Sequence, residues 1–69
     1  MKKTIAHVEN IDRPFKGKND LPILDNVVAN EVERFKNEGY KPENIKVDKQ
    51  VLPGRYLATI TLYKEGDES

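Results

Sequence analysis

The chain has 69 residues, no cysteine and one histidine, and its 12 lysine and arginine residues balance its 12 aspartate and glutamate residues. A chain this short forms one domain and buries only about 60% of the surface of its unfolded form. Its composition excludes disulfides and any zinc site built on several Cys or His ligands, and its neutrality excludes an overall field that attracts DNA or an anionic membrane.

The first element in chain order is a short strand over Lys3–Val8, whose apolar residues show no helical period. We expect residues 9–19 to form a loop. Within that segment, Pro14 lacks a backbone donor and biases the preceding residue away from helix, and Gly17 is free to adopt positive φ.

A helix follows, with Asp20 as its N-cap and Pro22 in its first turn, where a missing N–H does no harm. Gly39 suits the left-handed position after the helix, Tyr40 can fold back on the last turn, and Pro42 prevents continuation. One face of the helix is apolar at helical spacing and consists of Leu24, Val27, Val28, Val32 and Phe35.

Two strands complete the chain. Ile45, Val47 and Val51 share one parity, and residues 55–63 alternate with a period of two. Pro53 and Gly54 between them fit a type II turn, whose twist suits a two-residue hairpin poorly, so we expect a bulge or a longer loop.

The order strand, helix, strand, strand predicts a two-layer α+β fold of βαββ type, with one helix on a three-stranded, mostly antiparallel sheet. We expect residues 1–64 to form this domain and residues 65–69 to be an acidic, disordered tail. The segments VERF, YKPENIKVDKQ and YLATITLY resemble small sporulation proteins of Bacillus and similarly small Bacillus phage proteins. The resemblance spans about residues 22–63, implies the same fold in a bacterial or phage setting, and brings no catalytic residues.

The last strand carries substantial side chains on both faces, although one helix covers only one face. If its even-numbered residues face the helix, the opposite face is half apolar and consists of Leu57, Thr59, Thr61 and Tyr63. Such a face is either a solvated sheet surface or an interaction surface, and the small size of the chain favours the latter. A symmetric homodimer is its simplest use.

Acidic side chains on and after the helix form a second candidate surface. Glu31 falls inside the apolar arc, so its carboxylate reaches water at the rim, is held by a cation, or meets a partner. The candidate partner-binding acids are Asp25, Glu31, Glu33 and Glu38. They are either a solvated helix face or a patch that docks on a basic protein.

The N-terminal part of the chain is basic. Residues 1–18 contain five cations and two acids, a net charge of +3, which leaves −3 for residues 19–69. The segment IDRPFKGKND is either an exposed loop or an anion site, but it lacks the glycine spacing of phosphate-binding loops. The residues available for nucleic-acid contact are Lys2, Lys3, Arg13, Phe15, Lys16 and Lys18.

Catalytic chemistry has little support in this sequence. His7 has no visible nucleophile or orienting carboxylate beside it, and the only serine is Ser69. We therefore expect no catalytic residue, metal or cofactor. We also expect no membrane association, because no apolar run approaches roughly 18 residues and MKKTIAHVEN lacks the apolar core of a signal peptide.

The function that the sequence favours is a non-enzymatic, cytoplasmic protein-binding module of the inhibitor type. It would form a homodimer and cover a functional surface of a larger bacterial protein, such as a basic nucleic-acid-binding protein targeted by a phage. The alternative is a small nucleic-acid-binding protein that uses the basic segment.

Overall fold

A computed structural model describes residues 2–66 and confirms the α+β fold of βαββ type. One helix packs on one face of a three-stranded sheet, and both strand pairings are antiparallel. The elements are β1 (Lys3–Pro14), α1 (Leu21–Asn37), β2 (Ile45–Leu52) and β3 (Arg55–Glu65). The strand order is β1-β3-β2, so the last strand in the chain lies at the centre of the sheet.

The core lies between the helix and the even-numbered face of β3. Its largest fully buried side chains are Tyr56, Ile60 and Leu62, which expose at most 1% of their surface. On the helix, Leu24, Val28 and Phe35 are buried against them, as the apolar spacing predicts. The odd-numbered residues of β3 therefore face away from the helix.

β1 is longer than the sequence predicts. Residues 9–14, expected to be loop, continue the strand and pair with Ile60 through Arg55 of β3. The expectation failed because this segment shows no alternation of apolar and polar residues that would predict a strand. It forms a strand because it pairs with β3, and in that position Ile11 is only 8% exposed. β1 also bulges between Ile5 and His7, where its register against β3 shifts.

The two ends of α1 are built differently. Asp20 occupies the predicted N-cap position, but its side chain does not cap the helix and instead accepts a 3.2 Å hydrogen bond from the backbone N–H of Lys16. At the other end, Gly39 has φ of 111°, and its N–H donates to Lys36 while that of Tyr40 donates to Phe35. These two bonds form the predicted Schellman motif.

Pro53 and Gly54 connect β2 to β3 without an additional residue, since Leu52 and Arg55 pair directly. The bulge or longer loop expected here is therefore wrong. Gly54 has φ of 77° and allows the tight turn because it has no Cβ. β3 continues through Glu65, so the expectation that the tail begins at this residue is wrong, and residues 67–69 of that tail lie outside the described residues.

Candidate protein-binding surfaces

The face of the sheet opposite α1 is covered by no helix of the described residues, and we call it the open face. Strand register places its side chains in rows across β1, β3 and β2. It contains all four residues predicted on the last strand: Leu57, Thr59 and Tyr63 are half-buried, and Thr61 is 9% exposed. Its other strands contribute Ile5, Val8, Asn10 and Asp12 from β1, and Lys46, Asp48, Gln50 and Leu52 from β2.

Apolar side chains are exposed on this face. Ile5 is 60% exposed, Val8 is 44% exposed, and Leu52 at the far end is 37% exposed. Such residues are ordinary when scattered singly, but here they adjoin the half-buried Tyr63 and Leu57 on one continuous surface. The open face therefore combines exposed apolar side chains with polar ones.

Two polar contacts join β1 and β3 across the open face. The guanidinium of Arg55 donates to both carboxylate oxygens of Asp12, at 3.1 and 3.0 Å. This hydrogen bonding lowers the pKa of the Asp12 carboxyl. Thr59 donates a 3.1 Å hydrogen bond to the side-chain oxygen of Asn10. The contacts give the face a defined polar pattern.

The other candidate surface lies on the flank of α1 that faces β1, and we call it the acidic groove. Three carboxylates there surround the guanidinium of Arg34: Glu31 at 2.7 Å, Glu38 at 3.5 Å and Glu9 at 3.7 Å. Only Glu31 lies at the distance of a good hydrogen bond. Carboxylates are thus in excess over guanidinium in this groove.

Aromatic side chains form the wall of the acidic groove. The Phe35 ring lies 6.1 Å from the ring of His7 and 6.3 Å from that of Tyr40, which it meets edge to face. Arg34 lies over the Phe35 ring at 4.9 Å, within the range of a cation–π contact. The groove is open and has a volume of about 390 Å³. Its lining thus combines carboxylates with aromatic side chains.

The position of Glu31 settles part of its predicted role. Its side chain is 28% exposed and is held by a cation, as one of the alternatives proposed. The hydrogen bond from Arg34 lowers the pKa of Glu31, against the opposing effect of partial burial. Glu31 therefore remains ionised in a position that a partner can reach.

Asp25 and Glu33 lie on the opposite flank of α1, toward β2. Asp25 accepts a 2.6 Å hydrogen bond from Tyr56 and lies 3.4 Å from the ammonium of Lys49. Glu33 lies 3.8 Å from the ammonium of Lys36. The four predicted acids thus do not form one surface, and these two have lysines beside them.

Sequence reasoning missed Glu9 and Arg34 as members of the acidic groove. Arg34 could have been found, since Glu31 and Glu38 lie three residues before and four residues after it on a helix. Glu9 had no such signal, because it reaches Arg34 only after β1 has extended through the segment expected to be loop.

The predicted basic strip is divided by β1. Lys2 and Lys3 lie at its start and Arg13 near its end, so about ten residues of extended chain, roughly 33 Å, separate them. The Phe15 ring packs against the core and is half-buried, so only part of it is available to stack on a base. The structure therefore does not bring the six predicted nucleic-acid contacts together.

Residues 2–66 contain no group of three or more His, Asp or Glu side chains arranged to hold a metal ion. No helix in this part of the chain is both long enough and apolar enough to cross a membrane. His7 lies 3.8 Å from Glu9, and the acidic groove brings no serine, cysteine or lysine to them.

Comparison of the chain with family models, curated proteins and solved structures gives no match. The resemblance to small sporulation and phage proteins therefore stays a prediction.

Proposed function

We propose that this protein is a non-enzymatic protein-binding module of the inhibitor type, which covers a functional surface of a larger bacterial protein. The acidic groove is its docking site, and the partner presents a basic segment. The observation that carries the proposal is the arrangement of Glu9, Glu31 and Glu38 around the single guanidinium of Arg34. The bacterial setting rests on the sequence resemblance.

The charge in the groove favours a cationic partner. Arg34 is shared by three carboxylates, and both Glu38 and Arg34 are at least 50% exposed. An arginine or lysine of a partner can replace water around Glu38 and Glu9 without breaking the short bond to Glu31. Charge complementarity of this kind steers association and selects partners more than it adds affinity.

The aromatic wall supplies the other contribution to binding. Phe35 is 4% exposed and supports this wall from inside the core, whereas Tyr40 is half-buried and His7 is 53% exposed, so these two rings present the surface that a partner can contact. An aliphatic stem of an arginine or lysine can pack along this wall while its cationic group reaches the carboxylates. The groove thus suits a long basic side chain better than an isolated ion.

The experiment is a capture from bacterial lysate with the purified chain, with and without nuclease. Two variants of equal charge are compared: Glu9→Gln with Glu38→Gln, whose residues line the groove, and Glu33→Gln with Glu43→Gln as the control, whose residues do not. We expect the unmodified chain to capture a basic protein both with and without nuclease. The first variant should no longer capture this protein, whereas the control should still capture it. Equal capture by both variants would show that the groove is not the docking site.

The alternative is a small nucleic-acid-binding protein that uses Lys2, Lys3 and the basic segment 13–18. The division of these cations by β1 counts against it. Loss of every captured species on nuclease treatment would favour this alternative. So would binding that weakens steeply between about 50 and 200 mM salt, provided that substitution of Lys16 and Lys18 reduces this salt dependence.

A further inference from the structure

We propose that the open face packs against the open face of a second copy of this chain, about a two-fold axis that crosses the strands and sets Lys46 opposite Asp48 of the second copy. This contact uses the side of the sheet opposite α1. It leaves the acidic groove exposed and does not depend on the function proposed for that groove.

Strand register defines two adjacent rows of side chains at the centre of the open face. Both rows run across β1, β3 and β2 in that order, and they place a lysine and an aspartate next to each other on β2. The first row is Val8, Thr61 and Lys46, and the second is Asn10, Thr59 and Asp48.

Two sheets of identical chains can face each other about a two-fold axis in either of two simple ways. An axis that crosses the strands between the central rows lays each strand over the same strand of the second copy and exchanges the rows. Lys46 then lies opposite Asp48 of the second copy, and because the contact is symmetric this pair occurs twice.

The other axis runs along the strands and lays β1 over β2 of the second copy. Each row then lies opposite itself, so Lys46 faces Val8 and Asp48 faces Asn10. Both charges would then face uncharged residues of the second copy and keep only each other as charged neighbours along β2, which is less favourable than two ion pairs between the copies. The charge pattern of the face therefore selects the axis that crosses the strands.

In the neighbouring rows the same axis sets Ile5 opposite Asp12, whose charge is already paired with Arg55 of its own chain. The same rows bring Tyr63 opposite Leu57 of the second copy, and both residues are half-buried in the single chain. Thr59 lies opposite Thr61 of the second copy at the centre, where small side chains allow two sheets to approach to about 10 Å. The centre of the contact is thus apolar or uncharged on β3, with the ion pairs on β2.

The area of the face agrees with a weak, reversible dimer. β1 and β3 are paired over 11 residues each and β2 contributes 8, which at about 3.3 Å per residue and 4.8 Å per strand gives roughly 500 Å² per copy. Two copies thus bury about 1,000 Å², near the lower limit for specific interfaces.

The test is a charge exchange measured by sedimentation equilibrium on the full chain. Lys46→Glu and Asp48→Lys should each weaken the dimer by about tenfold or more, because like charges then face each other twice. The double variant Lys46→Glu with Asp48→Lys should restore the dimer to within about threefold of the original constant. Lys18→Glu, on an exposed turn outside the open face, is the matched control and should change nothing.

Folding of each variant is checked by circular dichroism at a concentration where the chain is monomeric. Thr59→Arg places a bulky charge at the centre of the face, opposite Thr61, and should give a folded monomer. Three results would each overturn the proposal: an unmodified chain that stays monomeric at about 1 mM, a Thr59→Arg variant that still forms the dimer, or single charge variants whose weakening the double variant does not reverse.

Discussion

The hydroxyl of Tyr56 donates a 2.6 Å hydrogen bond to the Asp25 carboxylate, which joins the central strand to the first half of the helix. Tyr56 exposes 1% of its surface, whereas the Asp25 side chain is 52% exposed. The contact therefore links a buried phenol to an ionised group at the edge of the core, and each group affects the titration of the other.

Burial and the bond to Asp25 raise the pKa of Tyr56 to about 12. Because the folded pKa lies above the unfolded value of about 10, the stability that the protonated phenol contributes is complete below pH 10 and is lost as the pH rises through 12. An NMR titration of the Tyr56 ring carbon should show this value. The hydrogen bond from Tyr56 is the main cause of the lowered pKa of Asp25, so that pKa should rise in Tyr56→Phe. A Tyr56 midpoint near 10 would contradict the prediction.

Arg34 controls the charge state of the acidic groove. Its hydrogen bond is the main cause of the lowered pKa of Glu31, so Arg34→Gln should raise that pKa in a carboxyl NMR titration. A lowered folded pKa contributes stability that is present above the unfolded value and lost as the pH falls, and the variant should lose this contribution. Arg55→Gln is the reciprocal control: it should raise the pKa of Asp12 and leave Glu31 unchanged.

Gly39 ends the helix in a conformation that disfavours other residues. With φ of 111°, Gly39→Ala should destabilise the protein by about 1 kcal/mol through backbone strain, although no atom lies within 4 Å of the added methyl group. Gly17→Ala is the control, since its φ of −144° is ordinary extended backbone and its surroundings are also open. Urea unfolding should separate the two variants, and equal stabilities would refute the strain.

Phe35 joins the core to the acidic groove and is 4% exposed. Phe35→Ala should cost about 3–5 kcal/mol, a large part of the stability of a domain this small. Far-ultraviolet circular dichroism during thermal unfolding should show a variant that is partly or wholly unfolded at 25 °C. Ile23→Ala, on a residue that is 61% exposed, should change stability by less than about 0.5 kcal/mol. A cooperative transition of Phe35→Ala at the original temperature would contradict this role.

Local features of the sequence determined the helix and its faces. The apolar spacing from Leu24 to Phe35 identified the buried stripe, and the segment Gly39, Tyr40, Pro42 identified the Schellman motif. The parity of β3 likewise separated its buried even-numbered residues from the open face. These features depend on contacts within a few residues, so the chain alone specifies them.

Tertiary structure decided the rest, because strand pairing joins residues that are distant in the chain. β1 extends through Glu9 to Pro14 because it pairs with β3. This extension brings Glu9 to Arg34 and separates the basic residues at the two ends of β1. The sequence determined which side chains share a helix face or a strand face. The sheet order and register, which bury β3 between the two edge strands, determined which of those faces meet.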